Sequence, residues 1–144
     1  MCVDESPQHN PHWLLHDVGP VEVLSLEPVD AVTVTTLMDN SLDLFMPDQG
    51  PAHRVGPQLR PARHCSVMTD REVPDALIAE HGFSMLVTIS KAGHEHRVLF
   101  DAGASPDGVV ENMRRLDIDP SSIGAIVCSH GHFDHTAGLD GLLR

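Results

Sequence analysis

The chain has 144 residues, room for one domain. Its formal charge of -12, from 9 basic and 21 acidic residues, argues against a nucleic-acid-binding surface and against docking on anionic lipid. No apolar run reaches the length of a membrane span, and the N-terminus lacks the basic-then-apolar pattern of a secretory signal. The 3 cysteines, Cys2, Cys65 and Cys128, are scattered and odd in number, so a reducing cytoplasm is the default location.

In chain order, residues 1–28 are rich in Pro, His and Asp and read as a poorly ordered N-terminal arm. Solvated tail histidines are the expectation for His9, His12 and His16. Residues 29–144 read as one partial domain. Its first strand, Ala31–Met38, is β-branched and delivers Asp39 and Asn40 to its C-terminal end. Residues 41–75 form a proline-rich loop or insertion with little regular structure. The stretch "DALIAEHG" reads as a short helical turn closed by Gly82. Strands at Phe83–Ser90 and Arg97–Gly103, joined by "KAGHEH", make a hairpin whose His94 and His96 face solvent. A helix follows, capped by Ser105 or Asp107, with Val109, Val110, Met113 and Leu116 on one face. Pro120 prevents its continuation. Ile123–Ser129 is an apolar run of buried-strand type, with Cys128 a small buried hydrophobe near its end. "TAGLDGLLR" begins another helix. The order β-β-β-α-β-(α) indicates an α/β layered fold with a partly antiparallel sheet.

Between the last strand and that helix lie His130, His132, Asp134 and His135. Imidazole and carboxylate donors together suit zinc, iron or manganese. Gly131 lets the backbone turn tightly, so that His130 and His132 share one side, and Asp134 and His135 address a neighbouring point. Four donors split two and two suit a pair of divalent cations. Chance alone gives such a set in roughly one chain in two hundred of this composition, which favours metal binding over an incidental His-rich loop.

The run "SHGHFDHTAGL" after an apolar strand resembles the H-x-H-x-D-H motif of the metallo-β-lactamase superfamily. "VLFDAG" is similar to that family's strand ending in Asp-x-Gly, and "DPSSIGAIVCSHGHFDH" to its link from helix to metal strand. "TTLMDN", "AEHGFSMLV" and "VLFDAGAS" further resemble the branch of dihydropterin-6-methyl-ribofuranosylaminobenzene 5'-phosphate synthase-like metal-dependent hydrolases. The resemblance implies the N-terminal half of an αββα sandwich, with a mixed sheet and helices on one face. It implies two divalent ions, zinc first and iron or manganese as alternatives. His130 and His132 would ligate one ion, Asp134 and His135 the other, with Asp134 also orienting or deprotonating the bridging water. Asp101 would brace the metal loop without ligating. Asp39, Asn40 and His81 match positions near the branch's pocket.

The resemblance makes the complete protein a metal-dependent hydrolase that uses a metal-bound hydroxide on a small-molecule ester or phosphoester. The family's second half supplies further ligands, and few residues follow His135, so the chain reads as a fragment, weak or inactive alone. The alternative is a non-catalytic metal-binding half-domain that forms a homodimer or pairs with a missing C-terminal half. An uncovered apolar sheet face would motivate such pairing.

Overall fold

The centre of the fold is a hairpin whose turn is shorter than "KAGHEH" suggests. In the computed structural model, which describes residues 25–43, 45–54, 62–64, 67 and 72–144, β4 (Ser84–Lys91) and β5 (His94–Phe100) pair antiparallel around Ala92 and Gly93. Both turn residues have positive φ, 51° and 79°. That twist matches the right-handed twist of the strands and lets two residues close the hairpin. His94 and His96 therefore lie within β5, exposed as expected. The expected arm falls largely outside the described residues, as do Cys2 and Cys65.

β1 (Ala31–Met38) pairs antiparallel with β4, and β6 (Ala125–Val127) pairs parallel with β5, giving the sheet order β1-β4-β5-β6. The register of β1 slips between Thr36 and Met38. This irregularity turns two consecutive side chains inward, so Leu37 and Met38 are both buried. They join Leu86, Leu99, Val109 and Met113 in the core, with Ile126 and Leu142 packed at its margin. The helix α1 (Gly108–Arg115) covers this face with Val109 and Met113. The result is the mixed α/β sheet with helices on one face. Toward the other face β1 and β6 leave Val32, Val34 and Val127 exposed, at 55%, 56% and 45%.

Within the proline-rich segment, the described residues include a short antiparallel ribbon, β2 (Ala62–His64) with β3 (Glu72–Pro74). Four local expectations are corrected. β6 is an edge strand and only half-buried at Ile126, because among the described residues it has a neighbour on one side only. Cys128, just past it, is exposed for the same reason. Asp107 is the N-cap residue of α1 but makes no side-chain cap bond, while the Ser105 hydroxyl turns to Glu80 instead.

The fourth correction concerns "DALIAEHG", where no helical turn forms. Its backbone is engaged elsewhere. The buried Asn112 side chain on α1 accepts from the Ile78 N–H at 3.0 Å. Its amide donates to the Ile78 carbonyl at 2.9 Å and to the Leu37 carbonyl at 2.7 Å. Glu80 N–H donates to the Asp39 carbonyl. One asparagine thus ties helix, strand β1 and the connecting segment together, satisfying backbone groups that would otherwise be buried unpaired. Asn112→Ala leaves them unpaired, and we expect a loss of about 2–3 kcal/mol in urea denaturation.

Asp75 anchors the other end of this segment, facing Arg114 and Arg115. The hydrogen bond from Arg114 is the main reason its carboxyl sits below the usual range; burial opposes the shift, and the charges of both arginines assist it. A carboxyl depressed in the folded state stabilises fully above its unfolded pKa, and that contribution disappears as pH falls through the lower folded value. The stability gap between wild type and Asp75→Asn should therefore be open at about pH 6 and shrink below about pH 4 in urea melts.

Candidate metal centre

Four chain segments meet at one end of the sheet: the ends of β1, β5 and β6 and the start of β4. There the structure brings Asp39 and Asn40, His81, Asp101, and the loop from Ser129 to His135 to the same edge. Asp101 is the hinge of the arrangement. It is 1% exposed and has a left-handed backbone, with φ 58°. Asp tolerates that conformation better than most residues, and here it turns the chain sharply at the end of β5. The Asp101 N–H donates to the Val127 carbonyl at 2.9 Å, and Ala102 N–H donates to the His135 carbonyl at 2.8 Å. At Gly138, a Cβ would meet the Ala102 carbonyl oxygen at 1.9 Å, so only glycine permits this approach of the last helical turns.

The Asp101 carboxylate is fully used. One oxygen accepts from the Ser129 N–H at 2.7 Å. The other accepts from the Ser129 hydroxyl at 2.8 Å and lies 2.7 Å from His135 Nδ1. Burial alone would raise this carboxyl; the bonds from Ser129 and His135 outweigh it and hold it below the usual range. With Nδ1 donating to this carboxylate, the ring of His135 is fixed so that Nε2 faces Asp134. The Ser129 hydroxyl, having donated to Asp101, accepts from His130 Nδ1 at 2.9 Å. His130 Nε2 then faces His132.

The donor atoms stand in two close pairs. His130 Nε2 and His132 Nδ1 are 3.1 Å apart. His135 Nε2 and Asp134 Oδ2 are 3.4 Å apart. Two donors on one tetrahedral zinc with bonds of about 2.0–2.1 Å stand about 3.3 Å from each other. Both pairs fit that spacing, and the His130 and His135 rings lie 4.2 Å apart between centroids. Among the described residues no group of three donors converges on one point, so each ion would take two donors from these four.

The loop is braced from behind. His132 is the N-cap residue of α2 (Phe133–Thr136), and its carbonyl accepts from the His135 N–H and the Thr136 hydroxyl. Asp134 lies in the first turn of α2 but makes no cap bond, which leaves its carboxylate to the site. A second short helix, α3 (Leu139–Leu142), continues behind it. His81 stands at the rim, 3.7 Å from Asp134. Asp39 spends one carboxylate oxygen on the Asn40 N–H, an ordinary strand-end turn contact. Sequence reading missed Ser129 and Glu80. Ser129 adjoins the histidines, and a hydroxyl beside a ligand was its only signal.

The class of protein follows from this site and fold. Residues 77–144 match the family model of the metallo-beta-lactamase superfamily. The chain is 41% identical over 66 residues to 7,8-dihydropterin-6-methyl-4-(beta-D-ribofuranosyl)-aminobenzene-5'-phosphate synthase of Methanocaldococcus jannaschii. That match covers 46% of this chain and 22% of the relative. It is 42% identical over 48 residues to ribonuclease Z of Pyrobaculum islandicum, covering 33% of this chain and 16% of that enzyme. The matched part thus spans about a fifth of each curated relative's length.

Asp101→Asn keeps the shape but removes the charge that fixes both histidine tautomers. Zinc affinity, read by competition with a chromophoric chelator, is expected to fall about 10–100-fold.

Proposed function

We propose that this chain carries the first part of a dinuclear metal site in a metal-dependent hydrolase acting on small-molecule esters or phosphoesters. The observation that carries the reading is the pair of donor sets, at 3.1 and 3.4 Å, both oriented by one buried carboxylate. His130 and His132 would hold one divalent ion, Asp134 and His135 the other. Zinc suits the imidazole-rich set, with iron or manganese as alternatives. Such ions supply Lewis acidity and lower the pKa of water, the two needs of hydrolysis at neutral pH.

The protein's own groups do the positioning. Asp101 holds His135 directly and His130 through Ser129, so neither ring can rotate without losing a hydrogen bond. Asp134 presents one carboxylate oxygen toward His135 Nε2, and its other oxygen can orient water and take a proton. Asp39 and Asn40 follow β1 at the end of the sheet where β4 begins, and this reading places them beside the substrate. The name of one relative, ribonuclease Z, favours a phosphorus centre over a carbonyl as the electrophile, and that of another places a 5'-phosphate on the compound it makes. A cytoplasmic location belongs to this reading, since the cysteine pattern offers no disulfide framework.

With two donors per ion among the described residues, against the usual three on catalytic zinc, the expected turnover by this chain is weak. The test is hydrolysis of bis(p-nitrophenyl) phosphate and p-nitrophenyl acetate in the presence of zinc or manganese. Slow phosphodiester cleavage, lost in His132→Ala and on chelation, is expected. Turnover that survives both treatments would sink the reading.

A further inference from the structure

The residues just before β4 form a rigid mount against the loops that carry Asp101 and Asp134. The Glu80 carboxylate accepts from the N–H groups of Ala104 and Ser105, at 2.8 and 3.1 Å, and from the Ser105 hydroxyl. Its own N–H is bound to the Asp39 carbonyl. On the other side, Phe83 N–H donates to the Asp134 carbonyl at 3.2 Å, and the Phe83 carbonyl accepts from Gly103 N–H at 3.0 Å. Gly82 lies so close that a Cβ there would meet Ala104 N at 2.7 Å and the Asp134 carbonyl oxygen at 2.9 Å. Glu80, Gly82 and Phe83 are thus all locked against the loops that carry Asp101 and Asp134. The residue between them, His81, keeps a side chain that is 79% exposed.

That side chain is aimed at the site. His81 Nε2 stands 3.7 Å from Asp134 Oδ2, the oxygen that also faces His135 Nε2. His81 does not complete a trio of donors with Asp134 and His135. We propose that His81 is a substrate-contacting residue, whose imidazole donates a hydrogen bond to an anionic oxygen of a phosphate group held against the second metal position. This rests on the dinuclear reading above and assigns the substrate's phosphate to the Asp134–His135 side. The mount explains why the contact would be effective: a fixed donor binds an anion without first losing the freedom of a mobile loop.

Inorganic phosphate is the probe. Its affinity for the zinc-loaded chain is measured by calorimetry in wild type, His81→Ala and His81→Gln. Zinc affinity and thermal midpoint are measured alongside. His81→Ala is expected to weaken phosphate binding about tenfold, as for loss of one hydrogen bond to a charged group, with zinc affinity and melting unchanged. His81→Gln, which keeps a donor, should recover part of the loss. Unchanged phosphate affinity in His81→Ala overturns the assignment while leaving the metal site intact. A fall in zinc affinity as large as that of His135→Ala makes His81 a ligand and also overturns it. Failure of the wild type to bind zinc would remove the dinuclear reading and this one together.

Discussion

A buried carboxylate in a left-handed turn organises this site. Asp101 joins the end of β5 to the end of β6 through its backbone, and β6 to α2 through its side chain. An unpaired charge at 1% exposure would be prohibitively unfavourable, so the bonds from Ser129 and His135 are obligatory. Their geometry then dictates where the metal-capable nitrogens point. His135 is oriented at first hand and His130 at second hand, through the Ser129 hydroxyl. Stability and function converge on the same atoms: the contacts that neutralise Asp101 are the contacts that aim the rings.

A second constraint acts from the opposite side of the edge. Asn112 holds the segment before β4 extended, and that segment carries Glu80, His81 and Gly82 up to the metal loop. The helix that covers the core therefore also sets the rim of the site. A helical turn at "DALIAEHG" would have satisfied local propensity, but it would have taken the Ile78 N–H and carbonyl away from the Asn112 side chain. Tertiary hydrogen bonds at a buried position outweigh a weak local preference.

Much of this was legible in the residues. The β-branched run at β1, the apolar run at β4 and the apolar face of α1 announce their elements because propensity and burial follow local sequence. Val109 and Met113 do fall inside, as the helical period requires. Elsewhere the same logic misleads. Ile123 to Cys128 looks like a buried strand by composition, yet β6 sits at an edge, and composition carries no information about neighbours. The short ribbon in the proline-rich segment pairs residues separated by a loop of irregular sequence, where no periodic signal exists.

The sequence by itself determined the chemistry: three imidazoles and a carboxylate within six residues, after a strand and before a helix, with Asp101 upstream as their brace. Donor types and their spacing are local properties, and local properties are written in the chain. Only the tertiary structure decided orientation. That Ser129 relays Asp101 to His130, that the donor atoms stand in pairs 3.1 and 3.4 Å apart, and that His81 reaches Asp134 from 53 residues away all depend on where separate strands end in space. Those positions come from sheet register and core packing, which sum many weak contacts across the chain and leave no short-range mark in the sequence.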